Sequence, residues 1–258
     1  MQEMLCSLEL GSFVLSDLLR DFRTHASKTM MLAELALLLE ATPADAAPDD
    51  YRGAVLEDNV LLKKSDSTRN KSLKHLRELY VLDTRDPLFA SLRTLLDQDP
   101  ASLRLLALLM AVTRDGLLRA TAPLILDSPV GTSLRAAMFS DTVSSAFPDR
   151  MSRTTLESVG RNAASSWTQS GHLKGKVNKF RVRAEAPVGA VVYALMLGHL
   201  SGVRGLLLYE TLWARLLDAP PNEIDALAFA ASQRGLLDYR RMGDVAEFGF
   251  SWLEGERG

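Results

Sequence analysis

The stretch "SLRLLALLMAVTRD" (residues 102–115) is apolar on nearly every side of a helical wheel. A helix of that kind has no face to offer water, so other elements must surround it. A second run, "PVGAVVYALMLGHLSGV" (residues 187–203), is uncharged and holds His199 and three glycines. It falls short of the roughly 20 apolar residues that span a bilayer, so it too reads as a core helix, and no membrane partner is expected.

Most of the remaining chain repeats the helical period. "FVLSDLLRDF" places Val14, Leu15, Leu18, Leu19 and Phe22 on one face, and "TMMLAELALLLEA" follows with a broader one. "TPADAAPDD" (residues 42–50) reads as a connector. In "SDSTRNKSLKHLRELYVL", Asp66 or Ser67 is the expected cap, and Leu73, Leu76, Leu79 and Tyr80 form the core stripe. Asp86-Pro87 and Asp99-Pro100 mark helix starts, with a carboxylate for the free amides and a proline where no donor is needed. "LDSPVGTS" (residues 126–133) breaks the pattern and sets the expected boundary between domains 1–128 and 129–258.

Beyond that break come the helices "SLRAAMFSDTVSSAF" and "SRTTLESVGRNAASSWTQ". Gly171 then stops the helix and the period changes to two. In "KFRVRA", Phe180, Val182 and Ala184 should face inward, with Lys179, Arg181 and Arg183 outward. Helix, helix and short hairpin is the order of a winged helix-turn-helix. At the C-terminus "NEIDALAFAASQR" precedes a second hairpin turning at Met242-Gly243-Asp244, with Phe248, Phe250 and Trp252 inward. The expected fold is mainly α: a helical bundle plus a winged helix-turn-helix with short β-hairpins.

Thirty basic residues against 32 acidic ones leave a net charge of −2, so affinity for a polyanion requires segregated charge. Such segregation occurs at Arg161, Lys174, Lys176, Lys179, Arg181 and Arg183, with no Asp or Glu between Glu157 and Glu185. On the helix 153–169, Leu156, Val159, Ala163 and Trp167 share the inner face. Ser158, Arg161, Asn162, Ser165, Ser166 and Gln169 share the outer one. Asn and Gln can pair with adenine edges and Arg with guanine, while the hairpin cations suit phosphates. A second segment carries Lys63, Lys64, Arg69, Lys71, Lys74 and Arg77 against Asp66 alone, at the start of a helix whose free amides favour phosphate. Residues 40–58 are acidic, which polarises this half of the chain. A solvated basic face and an acidic protein partner are the competing readings of the same charges, and RNA is a further one. The C-terminal hairpin interleaves Arg234, Arg240 and Arg241 with Asp238, Asp244 and Glu247, which fits structural support or a protein contact.

Catalytic chemistry finds little purchase. His25, His75, His172 and His199 are scattered without metal-ligand spacing, and "GVRG" (residues 202–205) lacks the Lys-Ser/Thr of a phosphate loop. Asp83 and Asp86 are accounted for by a turn and a cap. The lone Cys6 excludes a disulfide and a cysteine-built zinc site. Residues 1–12 carry Glu3 and no basic segment, unlike a signal peptide. The expectation is a cytoplasmic protein without cofactor, metal or enzymatic activity.

"EDNVLLKKSDSTRNKSLKHLRELY" (residues 57–80) and "TTLESVGRNAASSWTQSGHL" (residues 154–173), with "SLRLLALLMAVTRDGLLR" between them, resemble the A-component family of BREX bacteriophage-exclusion systems, known as BrxA. The resemblance covers roughly residues 11–183. It implies a mostly helical, non-enzymatic, cytoplasmic protein with helix-turn-helix character. Such a protein would bind double-stranded DNA and be encoded beside other phage-defence components. It places the family's basic first-motif residues on Lys63, Lys64, Ser67, Thr68 and Arg69. After Pro187 the chain departs from the pattern and runs on to residue 258.

Overall fold

The computed structural model describes residues 28–250. The expected stripe at Val14–Phe22 and the inward Trp252 lie outside them. Two apolar helices occupy the interior. In α5 (Leu103–Arg114) every residue from Leu105 to Arg114 is buried, and in α10 (Val188–Leu200) every residue from Val188 to Gly198. Around them in chain order come α1 (Leu32–Ala41), α2 (Pro48–Leu56), α3 (Asp66–Tyr80) and α4 (Pro87–Gln98). The short α6 (Gly116–Ala120) and α7 (Ala122–Leu126) follow α5. Next are β1 (Ser133–Leu134), α8 (Ala136–Ala146), α9 (Arg153–Gln169), β2 (Leu173–Lys174) and β3 (Lys179–Arg181). After α10 come α11 (Leu212–Arg215), α12 (Pro221–Gln233), β4 (Asp238–Met242) and β5 (Val245–Gly249). Among the described residues the protein is mainly helical, with two small antiparallel sheets. No helix among the described residues is long and apolar enough to cross a membrane.

Helix α10 packs on α4, α5, α11 and α12, while α3 lies on α5. The main apolar core draws residues from both sides of the 126–133 break, from Met30 to Phe250. The first turn of α10 has no side chain of its own to receive its amides, because Pro187 precedes it. Two distant residues serve instead. The Gly189 amide donates to Asp99 Oδ2 at 2.9 Å and the Ala190 amide to Ser102 Oγ at 3.1 Å. Asp99, expected to cap the helix that follows it, therefore caps α10 and also accepts from Ser102 Oγ at 2.7 Å. A Cβ on Gly189 would fall 2.8 Å from Ser102 Oγ, so this close approach requires glycine.

Other boundaries differ from the sequence reading by small amounts. The cap of α3 is Ser65, whose Oγ accepts from the Thr68 amide at 3.3 Å, not Asp66 or Ser67. Pro48 opens a helix inside the expected connector, where Asp50 returns a carboxylate to the Ala47 amide at 2.8 Å. Asp86 caps α4 as expected, accepting from the Leu88 and Phe89 amides, both at 3.0 Å.

The β1–α8–α9–β2–β3 segment forms a three-stranded sheet in the order β1-β3-β2, with Ser133 opposite Phe180 and Lys174 opposite Phe180 on the other side. Helices α8 and α9 pack closely: a Cβ on Gly160 would lie 2.1 Å from Ser140 Oγ and 2.4 Å from the Ala136 carbonyl oxygen. A second, smaller apolar cluster of Leu117, Val143 and Val159 seats this helix pair on α6. The C-terminal hairpin turns at Gly243-Asp244, with Phe248 and Phe250 buried. Asp225 on α12 holds it by accepting from Tyr209 Oη at 3.0 Å, Tyr239 Oη at 2.5 Å and Arg241 Nη1 at 2.5 Å.

Candidate nucleic-acid interface

Helix α9 begins at Ser152, whose Oγ accepts from the Thr155 amide. Val159, Ala163 and Trp167 are buried, as its apolar period demands, and Leu156 is half-buried. Trp167 Nε1 donates to Thr121 Oγ1 at 2.8 Å, which fixes the indole as core. On the outer side Arg153 pairs with Glu157 at 3.2 Å. Arg161 is exposed and donates from Nη2 to Ser158 Oγ at 2.9 Å. Ser165, Thr168 and Asn162 are half-buried on or beside the same side.

Two expected groove-facing residues are committed elsewhere. Ser166 is buried: its Oγ accepts from the Met30 amide at 2.9 Å and donates to the Asn162 carbonyl. Gln169 Oε1 accepts from the Leu32 amide at 2.9 Å. The start of α1 has no capping side chain of its own, and α9 supplies the acceptors. The helical wheel placed Ser166 on the exposed face; the chain entering α1 covers it.

The hairpin corrects the sequence reading more sharply. Its alternation is inverted at β3: Arg181 is 3% exposed, whereas Phe180 is 46% exposed. The reason is Asp218, which receives Arg181 Nη1 at 2.7 Å and Nη2 at 2.6 Å. Arg181 Nε reaches the Ile125 carbonyl at 2.9 Å, so the guanidinium is consumed inside the protein. Arg183 stays half-exposed but donates to the Asp218 carbonyl at 2.9 Å and to the Glu223 carboxylate. Beside them His172 is fully buried, with Nε2 donating to the Leu216 carbonyl at 3.0 Å and Nδ1 accepting from Ser170 Oγ at 2.9 Å. Burial pushes its pKa down to about 4; nearby Arg181 adds to the shift and Asp218 opposes it.

Lys174 and Lys176 are exposed, and neither has a carboxylate within ion-pair distance among the described residues. Lys179 is half-buried, and its Nζ donates to Thr168 Oγ1 at 2.8 Å, tying the hairpin to the outer face of α9. Partial burial lowers its pKa. The hairpin loop is held by Gly175 at φ +116°, where a Cβ would meet the Asn178 carbonyl oxygen at 2.0 Å. Arg161 is thus an exposed cation on the outer side of α9, near Ser158 and Ser165; Lys179 joins that side to the hairpin through Thr168, while Lys174, paired across the strands with Phe180, lies with it on the outer face of the hairpin.

The α3 segment loses part of its expected charge to internal pairing. Lys63 Nζ meets Glu34 at 2.9 Å, and Arg69 Nη1 donates to the Leu56 carbonyl at 2.8 Å and approaches Asp66 at 3.5 Å. Arg77 donates to the Pro48 carbonyl, and Lys74 stands 3.9 Å from Glu78. Lys64 and Lys71 remain exposed, together with Ser67 and Thr68. The bonds Lys63–Glu34 and Leu32–Gln169 place the start of α3 and the end of α9 on either side of the first turn of α1. There an open cleft of about 610 Å³ is lined by Leu32, Glu34, Leu103, Arg104 and Gln169 among others.

Sequence reasoning missed Thr168 and Asp218. Thr168 carried a signal, since it lies three and seven residues beyond Ser165 and Arg161 on the outer stripe. Asp218 carried none, being a loop residue 37 positions from its partner. Among the described residues no group of three or more His, Cys, Asp or Glu could hold a metal ion. Compared with known proteins, the chain matches no family model and no curated protein.

Proposed function

We propose that this protein is a non-enzymatic, double-stranded DNA-binding accessory protein. In this reading β1–α8–α9–β2–β3 acts as a winged helix-turn-helix, with α9 as the recognition helix and the β2–β3 hairpin as the wing. The supporting observation is that Arg161 on α9 and Lys174 and Lys176 on the hairpin are exposed cations without carboxylate partners among the described residues, and that the Lys179–Thr168 bond fastens the hairpin to the helix. Short hydroxyl side chains between the cations let the helix approach a major groove closely, with Arg161 toward guanine edges and the lysines toward phosphates. Lys64 and Lys71 supply a second phosphate contact. Placement in a phage-exclusion system belongs to the same proposal and is supported by the resemblance over residues 57–80 and 154–173 alone.

The test is fluorescence anisotropy of a labelled random duplex at about 50 and 200 mM salt, with the full chain and a Lys174→Ala/Lys176→Ala variant. Binding should weaken steeply with salt, and the double variant should flatten the salt slope by about two. Arg183→Ala should change the slope little, because Glu223 already neutralises that charge. Absence of binding at about 50 mM salt refutes the proposal. Stronger competition by single-stranded RNA than by duplex would reassign the surface to RNA.

A further inference from the structure

We infer that the hairpin tip is an apolar wedge for the minor groove, with Val177 entering between base steps and Lys174 and Lys176 on the flanking phosphates. The inference rests on the DNA-binding reading and adds a mode of contact to it. Val177 is 87% exposed at the end of the β2–β3 loop, and Phe180 stands 46% exposed on the middle strand behind it. The loop is closed tightly at Gly175, where the φ and the 2.0 Å approach of the Asn178 carbonyl oxygen admit no side chain, and Lys176, Val177 and Asn178 form its exposed tip.

Three physical points favour duplex DNA as the occupant. First, the tip is an aliphatic side chain between cations, the composition with which minor-groove proteins unstack a base step while neutralising the phosphates beside it. Second, a minor groove about 6 Å wide admits a single loop with one side chain at its apex and excludes a helix. Third, Lys179 fastens the hairpin to Thr168 on the outer side of α9, so a wing beside a helix lodged in the major groove faces the neighbouring backbone and minor groove. An apolar protein pocket would accept Val177 as well, but it gains nothing from Lys174 and Lys176.

The experiment uses the full chain and a duplex carrying 2-aminopurine at a central TA step, a step that unstacks readily, with a fluorophore pair at its ends. Anisotropy on the same duplex reports binding. Wild type should raise 2-aminopurine emission and shorten the end-to-end distance. Val177→Ser, a change at an exposed position, should retain affinity within about threefold while losing both signals, because phosphate contacts dominate affinity. Binding by wild type with no rise in emission and no bend overturns the wedge and leaves the DNA reading standing. So does a Val177→Ser variant that bends and unstacks like wild type. Absence of binding overturns both.

Discussion

Arg181 and Asp218, 37 residues apart, meet as a doubly bonded pair with the arginine side chain 4% and the aspartate 16% exposed. Asp218 Oδ2 also accepts from the Ala184 amide at 2.8 Å, so one carboxylate anchors the chain leaving the hairpin as well as its arginine. Removing one partner of a buried pair strands the other charge, which costs about 3–5 kcal/mol. Asp218→Ala should therefore lower the melting temperature strongly. The folded fraction should keep its affinity for DNA, since Arg181 does not reach the surface. Thermal unfolding together with anisotropy on the same sample checks both halves. A stable variant with reduced affinity would show instead that Arg181 serves the ligand.

His172 adds a pH dependence to the same buried region. Its pKa of about 4, against 6.5 for an ordinary histidine, means that the unfolded chain takes up a proton that the folded chain refuses. Stability then rises with pH between about 4 and 6.5 and is lost as the pH falls through that window, by about 3 kcal/mol at most for this group. Urea midpoints measured from pH 7 to pH 4.5 should fall for wild type and fall less for His172→Asn. An imidazole titrating near 6.5 by NMR in the folded protein would contradict the assignment.

Features set by composition around a whole helix were legible in the sequence. Helices α5 and α10 are apolar on all sides, and no packing arrangement other than burial satisfies them. The change of period after Gly171 likewise announced a hairpin. Features set by a partner far along the chain were not legible. The side to which Arg181 points depends on Asp218, and the burial of Ser166 depends on the Met30 amide, 136 residues earlier. Periodicity describes one element in isolation, so it assigns a polar residue to water until another element arrives with an unmet donor. For the same reason five of the twelve cations in the two basic segments are tied to acceptors within the protein: Lys63, Arg69, Arg77, Arg181 and Arg183.

Gly160 tests whether α8 and α9 work as one rigid unit. Its Cβ would fall 2.4 Å from the Ala136 carbonyl and 2.9 Å from the Ser140 amide nitrogen, both backbone atoms that cannot swing aside. Gly160→Ala should destabilise by about 1–3 kcal/mol through forced separation of the helices, although alanine is the better helix former. Circular dichroism melts would show the loss. A stabilised variant would mean that the two helices are free to move apart.

The cap supplied to α10 by Asp99 makes a prediction about core assembly. Asp99 Oδ2 accepts from Gly189 and from Ser102 Oγ, and Ser102 Oγ in turn accepts from Ala190. Asp99→Ala should cost about 1–2 kcal/mol, the usual loss for a helix cap, plus whatever Ser102 forfeits when its own acceptor disappears. Asp99→Asn keeps an oxygen acceptor and should recover most of the loss. No backbone amide of the Pro100–Ser102 turn that follows Asp99 takes a side-chain cap from it; the turn's bond to that carboxylate is the Ser102 hydroxyl, which itself caps Ala190, so the loss falls on the start of α10. Equal destabilisation by Asn and Ala would show that charge toward the α10 N-terminus, not the hydrogen bond, carries the stabilisation.

Arg161 separates sequence reading from simple charge attraction. It is exposed, oriented by Ser158 and free of carboxylates among the described residues, whereas Lys174 and Lys176 sit on the hairpin. If Arg161 reads a guanine edge, Arg161→Ala should cost about 1–3 kcal/mol on a selected duplex and little on random sequence. Arg161→Lys should restore attraction without restoring selectivity, because a single ammonium lacks the planar fork. Lys174→Ala should instead weaken all duplexes alike and lower the salt slope by about one. Selection of bound sequences from a random pool, followed by anisotropy of the variants on the winners, makes the distinction. A uniform loss for Arg161→Ala would place that side chain on phosphate as well, leaving α9 as a backbone-binding helix.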